Sequence, residues 1–141
     1  MLDLLSEKDL AYYAGFFDGE GSICIVKKTK GQYVLEVTVT NTYYWILESY
    51  ALAFGGSVGT HRTREFGRKP CWRWAAAANI AHRFLSLVLP YLEVKKYQAE
   101  IAIQFQEARI KKRTRSRRLT DAELALQEVQ RILVQEGGHG V

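Results

Sequence analysis

Tyr13-Ala14-Gly15-Phe16-Phe17-Asp18-Gly19-Glu20-Gly21 is an apolar run that ends in two acids interleaved with two glycines. Upstream, Ser6 with Asp9 three residues later gives a capping-box signal, and Leu10, Tyr13, Ala14 and Phe17 then recur at helical spacing. The spacing predicts a first helix over about 7–18, stopped by Gly19 and Gly21. Ala11, Gly15 and Gly19 lie four apart with Ala14 beside them, so one stripe of this helix carries little bulk. Such a stripe lets two helix backbones approach closely, and a carboxylate at the end of a tightly packed helix is a place to hold a divalent metal. The alternative is a tight internal helix contact with Asp18 and Glu20 simply solvated, and spacing alone leaves both readings open.

Outward from this stretch, Ser22 to Thr29 and Gln32 to Asn41 flank Lys30-Gly31, a glycine turn signal. Leu35, Val37 and Val39 alternate with Glu36, Thr38 and Thr40, the pattern of a hairpin with one apolar and one polar face. Tyr43 to Phe54 returns to helical period and is stopped by Gly55-Gly56. A second strand pair is expected over Ser57 to Arg64 and Cys71 to Ala77, around a loop holding Gly67 and Pro70. Further helices are expected over Asn79 to Leu89, broken at Pro90, over Val94 to about Lys112, and from a cap at Thr120-Asp121-Ala122-Glu123 to about Glu136. Helix, two strands, helix, two strands, then helices is the order of an α+β domain whose antiparallel sheet has one face covered by helices and the other free. The whole chain, 1–141, is expected to form one domain, since 141 residues at 48% hydrophobic can bury a sizeable core.

The net charge is only +5, but it is unevenly spread. Residues 1–58 carry four basic and seven acidic side chains, 59–118 carry fifteen and four, and 119–141 carry one and four. So basic a middle suits a polyanion, and no amphipathic helix with aromatic anchors directs it to a membrane. Within it, Arg109 to Arg118 reads RIKKRTRSRR, seven basic residues in ten, a phosphate-contacting arm or helix end. No apolar run approaches the roughly 18 residues that span a bilayer, and no secretory leader is evident, so the expectation is a soluble intracellular protein. Cys24 and Cys71 have no CxxC spacing and no histidine pair nearby, and are expected as buried free thiols.

Position by position, the nine residues from Tyr13 to Gly21 resemble the signature of the LAGLIDADG homing endonucleases. Tyr13 and Phe16 replace leucines, Phe17 the isoleucine, Gly19 the second alanine and Glu20 the final aspartate. The element order resembles that family's αββαββα core, and a single copy of the motif resembles its homodimeric members. The resemblance implies a two-fold homodimer in which Ala11, Ala14, Gly15, Asp18 and Gly19 line the contact between motif helices. It also implies that Glu20 ligates a metal with the Gly19 backbone carbonyl, while Asp18 orders the helix end. All-oxygen ligation with room for water favours Mg2+, with Mn2+ or Ca2+ able to take the same place.

Two further positions follow from the resemblance. Asn41 falls where relatives place a polar residue that orients attacking water, though a turn or helix cap is an equal reading. Lys95 falls where relatives place a lysine near the scissile phosphate; the plainer alternative is a solvated lysine in a helix's first turn. On the second strand Gln32, Glu36, Thr38 and Thr40 share a face with Val34, a face whose counterparts in relatives point at bases, and Lys28 is the candidate on the first strand. Arg62, Arg64, Arg68 and Arg73 supply charge on the second hairpin, with Trp72 and Trp74 expected inward. Lys96, Arg113, Arg115 and Arg117 are candidates for phosphate contact. Val58 shares parity with Arg62, so a bulge or strand end must intervene if one is buried and the other exposed. The function implied is metal-dependent, staggered cleavage of a long pseudo-palindromic site in double-stranded DNA, with no small-molecule cofactor. The rivals are a noncatalytic binder or splicing maturase of the same fold and a small-molecule metalloenzyme.

Overall fold

The computed structural model describes residues 5–61, 69–115 and 118–137, with the side chains of 113–115 outside that description. Helix α1 spans Glu7–Glu20 and opens on the expected capping box, the Ser6 hydroxyl accepting from the Asp9 amide (3.1 Å) and the Asp9 carboxylate from the Ser6 amide (3.0 Å). It runs two residues past the predicted end, through Gly19, and stops at Gly21, whose amide still donates to the Phe17 carbonyl. Gly21 is the true stop because a Cβ there would lie 2.2 Å from the Phe17 ring.

Strand β1 (Gly21–Lys27) follows directly and pairs antiparallel with β2 (Tyr33–Asn41). Lys28 and Gln32 lie in the connecting turn and not on the strands, the Lys28 amide donating to the Gln32 carbonyl. Helix α2 (Tyr44–Phe54) ends on Gly55 and Gly56, both at positive φ, and a Cβ on Gly56 would meet the Ala75 carbonyl at 2.5 Å. Strands β3 (Ser57–His61) and β4 (Cys71–Ala77) complete one antiparallel sheet in the order β1-β2-β4-β3. Helix α3 (Ala78–Val88) begins one residue earlier than expected and passes into a 3-10 turn, Leu89–Tyr91, at Pro90. Helix α4 (Lys96–Arg115) starts after Lys95, and α5 (Asp121–Gly137) starts on the predicted Thr120 box, Thr120 Oγ1 accepting from the Glu123 amide.

Side chains of one parity, Ile23, Ile25, Leu35, Val37, Val39, Trp74 and Ala76, face the helices and are buried. Phe17, Tyr50, Phe54, Trp74 and Phe84 form an aromatic cluster at this interface, with ring centroids 4.8 to 6.1 Å apart. Each such ring taken from water stabilises the fold by about 1.5–3 kcal/mol. The tryptophan indole donates to the Gly55 carbonyl (2.9 Å) and the Tyr50 hydroxyl to the Tyr13 carbonyl (2.8 Å), so the aromatic polar groups are satisfied where they are buried. The opposite parity faces outward and carries no helix. Within β3, Val58 pairs with Trp74 on the covered face. Arg62, Arg64 and Arg68 lie outside the described residues.

Two expectations are overturned by parity. Cys24 is exposed and Cys71 half-buried, because both fall on the open side of the sheet, opposite Ile23, Ile25 and Trp74. Ala14 is fully buried within its own chain, so it cannot form part of a contact between protomers. Ala11, Gly15 and Gly19 are the small residues of α1 that remain on its outer side. No helix among the described residues is long and apolar enough to cross a membrane.

Candidate nucleic-acid interface and metal-binding end of the first helix

The C-terminal end of α1 meets the segment before α4 through Asp18. Its carboxylate accepts from the backbone amides of Glu93 (2.8 Å) and Lys95 (3.0 Å), and its carbonyl accepts from the Lys95 ammonium (2.7 Å). Asp18 therefore fastens the motif helix to the lysine seventy-seven residues away within the same chain. Lys95 is half-buried, not a solvated first-turn residue. Burial lowers its pKa, against the opposing charges of Asp18 and Glu20.

Glu20 is exposed at the end of α1, next to the start of β1. The last turn of α1 carries no basic residue of its own; with the Asp18 carbonyl taken by Lys95, the Glu20 carboxylate and the Gly19 carbonyl are the oxygens it can offer a hard cation. Among the described residues no three His, Cys, Asp or Glu side chains come together as a metal cluster. One protomer thus offers a single carboxylate, fewer oxygens than a hard divalent ion takes, and these residues fit a metal only as part of a site completed from outside.

Asn41 lies at the same end of the sheet, two residues beyond Val39, the partner of Gly21. Its Oδ1 accepts from the Tyr43 amide (2.8 Å), so the turn-capping role is realised at the mouth of α2. Lys96 is exposed at the first position of α4.

The open face is built in rows by the strand register. Cys24, Glu36 and Ala77 form one row, Ser22, Thr38, Ala75 and Ser57 the next, then Thr40, Arg73 and Gly59, while Val26 and Val34 pair near the β1–β2 turn. Glu36, Thr38, Thr40 and Arg73 therefore do share this face, but Thr38 is only 9% exposed, at its floor. Arg73 reaches along it to bond Glu36 (3.1 Å), a pairing that residue order gave no reason to expect. These two are the charged side chains of the open face among the described strand residues, so its floor is close to neutral. The basic run starting at Arg109 occupies the C-terminal turns of α4, whose Arg113 and Arg115 side chains, like Arg117, are outside the described residues.

The fold of this chain is shared with solved proteins. The chain has a TM-score of 0.66 and 22% identity to the homing endonuclease I-CvuI in complex with its target, over 95% of this chain and 82% of that one. With the archaeal intron-encoded homing endonuclease I-Vdi141I complexed with DNA it has a TM-score of 0.70 and 15% identity, over 93% and 84%. This is the fold of the LAGLIDADG homing endonucleases. A third likeness is to I-SmaMI bound to uncleaved DNA target in the presence of calcium ions, with a TM-score of 0.65 and 20% identity, where 91% of this chain covers only 45% of the longer one. No family model and no curated relative matches the sequence.

Proposed function

We propose that this chain is a homodimeric, divalent-metal-dependent homing endonuclease that makes staggered double-strand cuts in a long pseudo-palindromic DNA site. The observation that carries the reading is the Asp18 clamp, which holds the acid-ended motif helix and Lys95 together at one corner of the open sheet. That corner joins a cation-seeking carboxylate to a half-buried ammonium, the pair of charges that phosphodiester cleavage uses. The twofold length of I-SmaMI relative to this chain is in keeping with a need for two such halves.

When bound, a hard divalent cation, Mg2+ in the first instance, supplies charge neutralisation and an activated water. Glu20 and the Gly19 carbonyl hold it at the helix end. Lys95, held by Asp18, places a positive charge against the phosphate on which negative charge builds during attack. Asn41 fixes the first turn of α2 beside the cut and orients water there. The sheet lies in the major groove, where base edges present distinguishable patterns, and the Arg109–Arg118 run contacts phosphates. The exposed stripe Ala11, Gly15 and Gly19 meets its two-fold mate, bringing two Glu20 side chains to opposite strands.

The test is incubation of the purified protein and magnesium with a randomised duplex library, followed by recovery of cut molecules. Wild type is expected to yield double-strand breaks with half-site symmetry. Glu20→Gln, which removes a ligand charge at nearly constant shape, should cut more than about a hundredfold more slowly while still shifting the duplex. Duplex binding without cutting by wild type would make the protein a binder or maturase of this fold, and equal cutting by the variant would take Glu20 out of the mechanism.

A further inference from the structure

The open face divides into two chemically different parts. At the β1–β2 end, Val26 and Val34 pair beside the row Cys24, Glu36, Ala77, so hydrocarbon and thiol surround one carboxylate. Arg73 bonds Oε1 of that carboxylate, which cancels its charge and leaves Oε2 to accept another donor. The adjoining turn carries two exposed cations, Lys28 and Lys30. Cations at the rim with an apolar floor and a single acceptor match a duplex groove whose edges carry methyl groups and amino donors.

An A·T pair is the base pair that shows both in the major groove: the thymine C5-methyl and the adenine N6 amino group. A G·C pair also offers a carboxylate an amino donor, cytosine N4, but it has no methyl for the valines, so the apolar floor is what selects A·T. We infer that Val26, Val34, Cys24 and Ala77 take thymine methyls while Glu36 accepts from adenine N6, making this part of each half-site A·T-specific. The inference rests on the endonuclease reading and names the sequence that the site prefers.

Its position in the target follows from strand geometry. Cys24 and Val26 lie three and five residues beyond Gly21, which adjoins Glu20. At about 3.3 Å per residue this is roughly 10 and 17 Å from the metal-binding end. With a rise of about 3.4 Å per base pair, the A·T preference falls about three to five pairs outward from each cut phosphate.

Sites recovered from the randomised library should be enriched in A·T at those positions. In a recovered duplex, replacing a thymine there by deoxyuridine deletes one methyl and should weaken binding about fourfold. Replacing the adenine by a purine that lacks the 6-amino group should weaken it about tenfold, since a hydrogen bond to a carboxylate is lost. In Val34→Ser, and independently in Val26→Ser, the thymine-to-deoxyuridine ratio should fall towards one; each protein is its own control, so altered stability does not disturb the comparison. Specific cutting with G·C at these pairs, or equal affinity for thymine and deoxyuridine, would overturn the inference and leave the endonuclease reading standing. Failure to bind any duplex would overturn both.

Discussion

Asp18 shows how much one side chain can organise. Its carboxylate and carbonyl accept three hydrogen bonds from Glu93 and Lys95, and a carboxylate receiving two amides is a strong local fixture. The sequence made the two acids visible, but not which of them turns inward, since the partners lie seventy-five and seventy-seven positions away. Asn41 illustrates the opposite case: a local bond two residues long settles its structural role, and residue type alone anticipated it. At Ala78, the first residue of α3 directly after β4, the chain adopts φ 54. A left-handed conformation costs an L-residue about 1–2 kcal/mol, and glycine escapes that cost while losing about 0.5–1 kcal/mol through its freer unfolded chain. Ala78→Gly is therefore expected to stabilise the fold by about 0.5–1 kcal/mol, seen as a midpoint higher by about 2–4 °C in thermal unfolding. A lower midpoint would mean that the methyl group makes a contact worth more than the strain.

At the level of elements, the alternation of Leu35, Val37 and Val39 with Glu36, Thr38 and Thr40 specified β2 and its buried side, because a strand's faces repeat every two residues. The same rule assigns Cys24 and Cys71 to the open face, and only the habit of burying cysteine argued otherwise. Helix ends were harder: Gly19 offers a stop by composition, yet the Phe17 ring makes Gly21 the place where the backbone must leave the helix. Helix α5 is held by charge. The Lys112 ammonium beside Glu123 (2.9 Å), with the Thr120 amide, holds that carboxyl down at about 2, and the Arg131 guanidinium with the Tyr33 hydroxyl does the same for Glu128. Both folded values lie below the ordinary 4.5, so the stabilisation is full above about pH 4.5 and disappears as pH falls towards 2. Hydrogen-exchange protection factors along α5, taken relative to the intrinsic rate at each pH, are expected to fall across that window before those of the sheet. Uniform protection down to pH 2 would show that Leu124, Leu133 and Val134 hold α5 without these pairs.

On the scale of the whole molecule, the covered and bare sides of the sheet were legible, as was the order of elements around it. What sequence order could not convey is the meeting of distant parts: the Asp18 bridge, and Arg73 lying along the face to Glu36 so that the floor is neutral. The outer side of α1 bears on assembly. A Cβ at Gly15 would meet nothing within 4 Å, so Gly15→Leu should leave the protomer folded, and even gain up to about 1 kcal/mol of helix propensity. The same substitution fills the stripe through which two protomers are proposed to touch. Sedimentation should then find monomers where wild type is dimeric, with double-strand cutting lost; unaltered association would move the contact elsewhere.

Strand β1 is one of the two outermost strands of the sheet, and α5 packs against it, with Tyr33 beside Glu128 and Gln98 bonded to the Val134 carbonyl (2.8 Å) tying that helix in place. An outermost strand with unpaired peptide groups is a template on which other polypeptides can polymerise. The C-terminal helix therefore acts as a guard rail, and a bare sheet waiting for its ligand is kept from recruiting misfolded neighbours along that border.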